Sequence, residues 1–150
     1  MLTHLNTHSI FSKMRGTASL SELLNRAVQY RMSHLALTEV NGIWGFIRFV
    51  QFAREFNIQP IAGVNLITEH DDVILLVENQ QGYENMCRII SDVHDSTDVH
   101  TVDLLQSRHK GLFILSHEKH VLEKLVQLIP TTHLFVELRP GVEERTAKEL

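Results

Sequence analysis

Cysteine occurs once in the 150 residues, as Cys87, so neither an internal disulfide nor a Cys-x-x-Cys metal knuckle can form. Its apolar neighbours Met86, Ile89 and Ile90 mark it as a small buried helical residue. Proline is scarce at three residues, and the seven glycines do not cluster into a linker. No apolar run approaches the roughly 20 residues that cross a bilayer. The opening Met1-Leu2-Thr3-His4-Leu5-Asn6 lacks a basic segment followed by an apolar one, so no secretory signal is expected and a cytoplasmic location follows. Basic charge is also short: 14 Lys and Arg face 18 Asp and Glu, for a net charge of −4. The basic residues are scattered, whereas an autonomous nucleic-acid binder gathers them on one face. Contact with DNA is therefore expected only through a larger chain. Gly-rich phosphate loops and Gly-x-Ser-x-Gly are missing too.

What remains is an ordinary globular composition, 43% hydrophobic and 21% charged, with ten histidines as its one oddity. A chain this long folds as one domain and buries roughly 70% of its unfolded surface. Short β-like runs alternate with longer stretches of helical period. Strands are expected at His4 to His8, His34 to Thr38, Pro60 to Val64, Val73 to Val77, Leu112 to Leu115 and Leu134 to Val136. Helices are expected at Ser19 to Met32, Trp44 to Phe56, Gly82 to Val93, Val121 to Ile129 and Val142 to Leu150. Ser19-Leu20-Ser21-Glu22 has the capping-box form, and Pro130 closes the helix before it. In the first two helices Leu20, Leu23, Leu24, Ala27 and Val28, then Phe46, Ile47, Val50 and Ala53, form the apolar stripes. Trp44 and the phenylalanines that follow it keep helical spacing and belong to the core. His94 to His100 reads as a loop. Such alternation predicts an α/β fold with mainly parallel strands. The strands are too few to close a barrel, so the segment is expected to continue past Leu150 and, with open sheet edges, to self-associate.

In parallel α/β folds chemistry gathers at the carboxyl ends of strands. Those ends carry Asn6 and His8, Thr38 and Glu39, Asn65, His117 and Glu118, and Glu137. His4, Asn6 and His8 alternate along one strand and share a face. A His-x-His pair there would start a metal site, but Asn6 offers an amide, a poor ligand for zinc or manganese. His4 and His8 are roughly 13 Å apart, too far to share an ion. A rearranged site could draw on His8, Glu39, His117 and Glu137. His70, His94, His100, His109, His120 and His133 fall in loops and at helix edges and read as solvated.

Several segments together resemble one family. His4-Leu5-Asn6-Thr7-His8-Ser9-Ile10-Phe11-Ser12 is similar to the opening His-Leu-x-x-His-Ser-x-x-Ser of the PHP (polymerase and histidinol phosphatase) domain of C-family bacterial polymerases. Leu35-Ala36-Leu37-Thr38 with Asn41 and Gly45 resembles Leu-Ala-Leu-Thr-Asp-His-Gly-Asn. Ile58-Gln59-Pro60-Ile61-Ala62-Gly63 resembles Ile-Lys-Pro-Ile-Ile-Gly. Leu75-Leu76-Val77-Glu78-Asn79 with Gly82-Tyr83-Glu84-Asn85-Met86, then Gly111 to Ser116 and Phe135-Val136-Glu137-Leu138, continue in the same order.

The resemblance implies the N-terminal part of a distorted (β/α)7 barrel from a DNA polymerase III alpha-like protein, a DNA-directed nucleotidyltransferase of replication or repair. In full family sites a metal cluster supports phosphoesterase or proofreading activity. Here the first metal histidine falls on Asn6, an acidic position on Arg15, the second-motif histidine on Val40 and a glutamate on Asn65. A frequent cysteine falls near His117 or Glu118, and the last Asp-x-His motif lies beyond Leu150. Of the usual ligands only His8 clearly survives. The expectation is a structural or docking module without cofactor. Its partners would be the remainder of the polymerase and a proofreading exonuclease subunit. The alternative is a metal-dependent phosphoesterase or proofreading nuclease using Zn, Mn or Fe.

Overall fold

The capping box expected at Ser19 forms: Ser19 Oγ accepts the Glu22 N–H at 3.3 Å, and Glu22 Oε2 accepts the Ser19 N–H at 2.7 Å. Amides that helix geometry leaves without partners are thereby satisfied. The computed structural model describes residues 3–96 and 98–139 and divides into two compact units, 1–65 and 66–150.

The first unit holds α1 (Leu20–Gln29), β1 (His34–Val40), α2 (Phe46–Glu55) and most of β2 (Gln59–Ile67). β1 and β2 pair in parallel, from His34 opposite Gln59 to Val40 opposite Asn65. Leu35 to Glu39 are all buried, as in a parallel strand covered on both faces. α1 and α2 bury Leu20, Leu24, Ala27, Phe49 and Ala53 against Leu35 and Leu37. The strand expected at His4 to His8 is reduced to one parallel bridge, His4 to Leu35, extended by bonds from Ala36 N to His4 O and from Thr38 N to Thr7 O. Three side chains assigned to the core are not in it. Trp44 is 62% exposed, Ile47 68% and Val28 46%. α2 starts at Phe46, and Trp44 sits in the preceding turn with its ring against Gly42.

The second unit holds β3 (Asp72–Val77), α3 (Gln80–Asp95), α4 (Thr101–Arg108), β4 (Leu112–Ser116), α5 (Lys119–Leu125), a 3-10 turn (Thr131–His133) and β5 (Leu134–Val136). β4 and β5 pair in parallel, but β3 and β4 are antiparallel, Val73 opposite Ser116 and Val77 opposite Leu112. A tight turn leads into β3. Thr68 N donates to Asp71 O at 2.9 Å, and Thr68 Oγ1 accepts from Asp71 N at 3.0 Å. The α/β fold with mainly parallel pairing otherwise stands. α3 begins at an Asn79 cap, whose side chain accepts the Gly82 N–H at 3.1 Å. A Cβ on Gly82 would lie 1.7 Å from the Gly111 carbonyl oxygen, so only glycine lets the helix start pack there. α3 runs on through His94, and α4 is an unexpected addition. The helix expected at Val142 to Leu150 lies outside the described residues. Cys87 is half-buried on α3.

Replacing Ser19 by Ala should cost about 1 kcal/mol at neutral pH. The Ser19 hydroxyl first, then its N–H, hold the Glu22 carboxyl below its ordinary value of 4.5. A depressed folded pKa gives stability that is complete above the ordinary value and lost as pH falls through the folded one. The gap between wild type and Ser19→Ala should therefore hold down to about pH 4.5 and narrow below it. Urea titrations at stepped pH check both.

Candidate functional site

Glu39 sits at the carboxyl end of β1 with 1% of its surface exposed, and a buried carboxylate must find donors. They come from the opening signature. Ser9 Oγ donates to Glu39 Oε1, Ser12 Oγ donates to Oε2, and the Ser9 N–H reaches both oxygens at 3.2 and 3.3 Å. Each hydroxyl is oriented in turn by an amide: Val40 N donates to Ser12 Oγ at 2.9 Å and Phe11 N to Ser9 Oγ at 3.3 Å. The loop itself is a tight turn in which Ser12 O accepts from Arg15 N and Gly16 N. A Cβ on Gly16 would lie 2.0 Å from the Ser9 carbonyl oxygen, so the turn closes only over glycine. Glu39 is thus an internal anchor for the Ser9–Gly16 turn, and both its oxygens are engaged.

The neighbouring positions are also committed. Thr38 Oγ1 accepts the Thr7 N–H at 2.8 Å and donates to Asn6 Oδ1 at 3.1 Å. Val40 contributes its backbone amide and an apolar side chain. Asn65 is buried opposite Val40, and its carbonyl accepts the Asn41 N–H at 3.0 Å. Arg15 is exposed on the turn. His4, Asn6, Thr7 and His8 line one cleft of about 310 Å³ with Leu23, Arg26 and Tyr30. The Arg26 guanidinium lies 5.1 Å above the Tyr30 ring.

In the second unit His117 and Glu137 come together, His117 Nδ1 lying 3.8 Å from Glu137 Oε2. Between them and Asp72 stands a cation that sequence reasoning missed. Arg139 Nε donates to Glu137 Oε2 at 2.9 Å, and Nη1 and Nη2 each reach Asp72 Oδ2 at 3.2 Å. Nη1 is 3.5 Å from His117 Nε2. Burial alone would lower the Arg139 pKa. The Glu137 hydrogen bond and the Asp72 and Glu137 charges outweigh it and hold the guanidinium above its ordinary value, so it stays charged at any working pH. The pattern Glu137-x-Arg139 was visible, but its pairing with Asp72 depends on strands distant in sequence.

A family model described as the PHP domain matches residues 4–140. DNA polymerase III subunit alpha of Borreliella burgdorferi is 32% identical over 103 residues, which span 59% of this chain and 9% of that one. The error-prone DNA polymerase of Symbiobacterium thermophilum is 39% identical over 92 residues, 61% of this chain and 8% of its relative. The alpha subunit of Buchnera aphidicola subsp. Acyrthosiphon pisum is 28% identical over 127 residues, 75% and 11% respectively. The chain thus spans about a tenth of these polymerases' length. Among solved structures, an amidohydrolase from Chromobacterium violaceum superposes with a TM-score of 0.51 at 20% identity, covering 62% of this chain and 33% of that one.

Glu39→Gln turns an all-acceptor group into one that must present N–H to a hydroxyl or amide donor. The expected loss is about 1–3 kcal/mol, read from the midpoint of chemical denaturation.

Proposed function

Because the chain belongs to the PHP domain family, we propose that it serves as the non-catalytic PHP module of a DNA polymerase III alpha-like protein, a scaffold and docking part of replication or repair synthesis. It is homologous to the N-terminal region of DNA polymerase III alpha subunits and error-prone polymerases. One contact carries the non-catalytic reading. The Arg139 guanidinium bridges Asp72 and Glu137 with His117 at its edge, so the acidic groups already have a permanent counter-charge.

The other family positions fit a metal cluster no better. Asn6 and Val40 offer no imidazole, Asn65 offers no carboxylate, and the oxygens of Glu39 are held by Ser9 and Ser12. Zinc, manganese and iron sites of this type need imidazole and carboxylate donors converging on one point. The rival reading, a phosphoesterase or proofreading nuclease using His8, Glu39, His117 and Glu137, draws on the closeness of His117 to Glu137. It must displace Arg139 and strip Glu39 of its donors, and it is the weaker for that.

In this reading the partners are the remainder of the polymerase and, as a candidate, its proofreading exonuclease subunit. DNA is met only through the parent enzyme, in the cytoplasm. Among the described residues no helix is long and apolar enough to cross a membrane. The isolated segment is expected to self-associate through open sheet edges.

Arg139→Ala should lower stability by about 1–3 kcal/mol, less than breaking a fully buried pair, because two carboxylates lose their counter-charge. Denaturant titration measures it. Hydrolysis of a chromogenic phosphodiester and of single-stranded DNA with added Mn²⁺, Zn²⁺ or Fe²⁺ tests the reading as a whole. Wild type, His8→Ala and His117→Ala should give the same background trace. Metal-dependent turnover that disappears in either variant would overturn the proposal.

A further inference from the structure

Beside the Arg139 cluster, the second unit gathers an imidazole and two carboxylates from two places in its sequence. Asp71, in the turn before β3, keeps a side chain only 1% exposed. Its Oδ2 accepts the N–H of Thr101, the first residue of α4, at 2.7 Å. Its Oδ1 lies 3.8 Å from Nε2 of His120. Glu118, just before α5, is fixed in the same way, its Oε2 accepting the Asp72 N–H at 2.9 Å and standing 4.0 Å from that same nitrogen. The three ligand atoms all lie within 4.8 Å of one another.

Those separations discriminate between two kinds of contact. Direct hydrogen bonds from an imidazole to a carboxylate fall below about 3.2 Å, so neither carboxylate is bonded to His120. Ligands held about 2.0–2.2 Å from a tetrahedral zinc ion stand about 3.3–3.6 Å apart, so small side-chain adjustments of the three groups bring them to coordination distance. Both carboxylates are held by backbone amides, the outer support that fixes metal-ligand orientation. His120 is on the surface, its side chain 55% exposed, so an ion has an entry path and water can complete the shell.

We propose that Asp71, Glu118 and His120 form a site for a divalent first-row transition cation, zinc above all. The two carboxylates balance the charge of the ion, and imidazole favours zinc over magnesium or calcium. Binding takes the His120 tautomer with its proton on Nδ1, so that Nε2 exchanges its 3.3 Å contact with the His70 carbonyl for the metal. The ion would tie the turn before β3 to the starts of α4 and α5 and so act as a structural clip. This site shares no residue with the Arg139 cluster and does not rest on the non-catalytic reading.

Titrating the whole chain with Zn²⁺, followed by calorimetry and thermal unfolding, tests the assignment. One equivalent should bind and raise the melting temperature, since an ion that binds only the folded state stabilises it by mass action. His120→Ala and Glu118→Gln should each weaken binding at least about tenfold. His120 is exposed enough that its variant folds. His100→Ala reports on the neighbouring exposed set of His70, Asp98 and His100, and should leave binding unchanged. Uptake that survives His120→Ala, or that is lost in His100→Ala, overturns the assignment, as does the absence of any thermal shift. Uptake that requires His8 or His117 overturns it as well. It would also count against the non-catalytic reading, which failure at His120 alone would leave intact.

Discussion

A carboxylate removed from water must be met by donors, and in the first unit that requirement organises everything around β1. Glu39 stands within a run of apolar side chains where parallel pairing leaves no solvent. Its donors are two hydroxyls and an amide of the Ser9–Gly16 turn, which bring the opening segment down onto the strand end. Thr38, one residue earlier, binds Thr7 and Asn6 in the same way. The His-Leu-x-x-His-Ser-x-x-Ser signature is therefore not only a chemical motif. In this chain its serines hold the turn against the strand end through Glu39.

Features set by neighbours in sequence were legible. The Ser19–Glu22 box, the apolar stripe through Leu20, Leu24 and Ala27, and the buried run of β1 all follow from local spacing. Features set by distant partners were not. The antiparallel pairing of β3 with β4 joins residues about forty positions apart, and the start of α4 is fixed by Asp71, thirty positions upstream. His70, His100 and His120 are exposed, as their neighbourhoods suggest, but their partners are distant in sequence: His70 stacks on His100 with centroids 4.0 Å apart, and His120 faces Asp71 and Glu118. The donors of Glu39 were hidden for a related reason: they belong to a turn about thirty positions upstream.

The same contrast explains why the site positions were harder to read than the fold. Hydrophobic period depends on many residues and tolerates errors such as Trp44 and Ile47. A site depends on a few atoms whose company is decided by tertiary contacts. Asp72 and Arg139 are 67 positions apart, and no pattern in the sequence couples them.

Their pairing also has a consequence for how such a domain changes over generations. Two carboxylates neutralised by a guanidinium form a ratchet. Removing Arg139 alone leaves like charges side by side, while gaining a metal-binding imidazole elsewhere leaves Asp72 and Glu137 still occupied. Each single change in the trio meets a penalty that only a second change relieves. Asp72, Glu137 and Arg139 are in that sense coupled, and the three are expected to vary together or not at all.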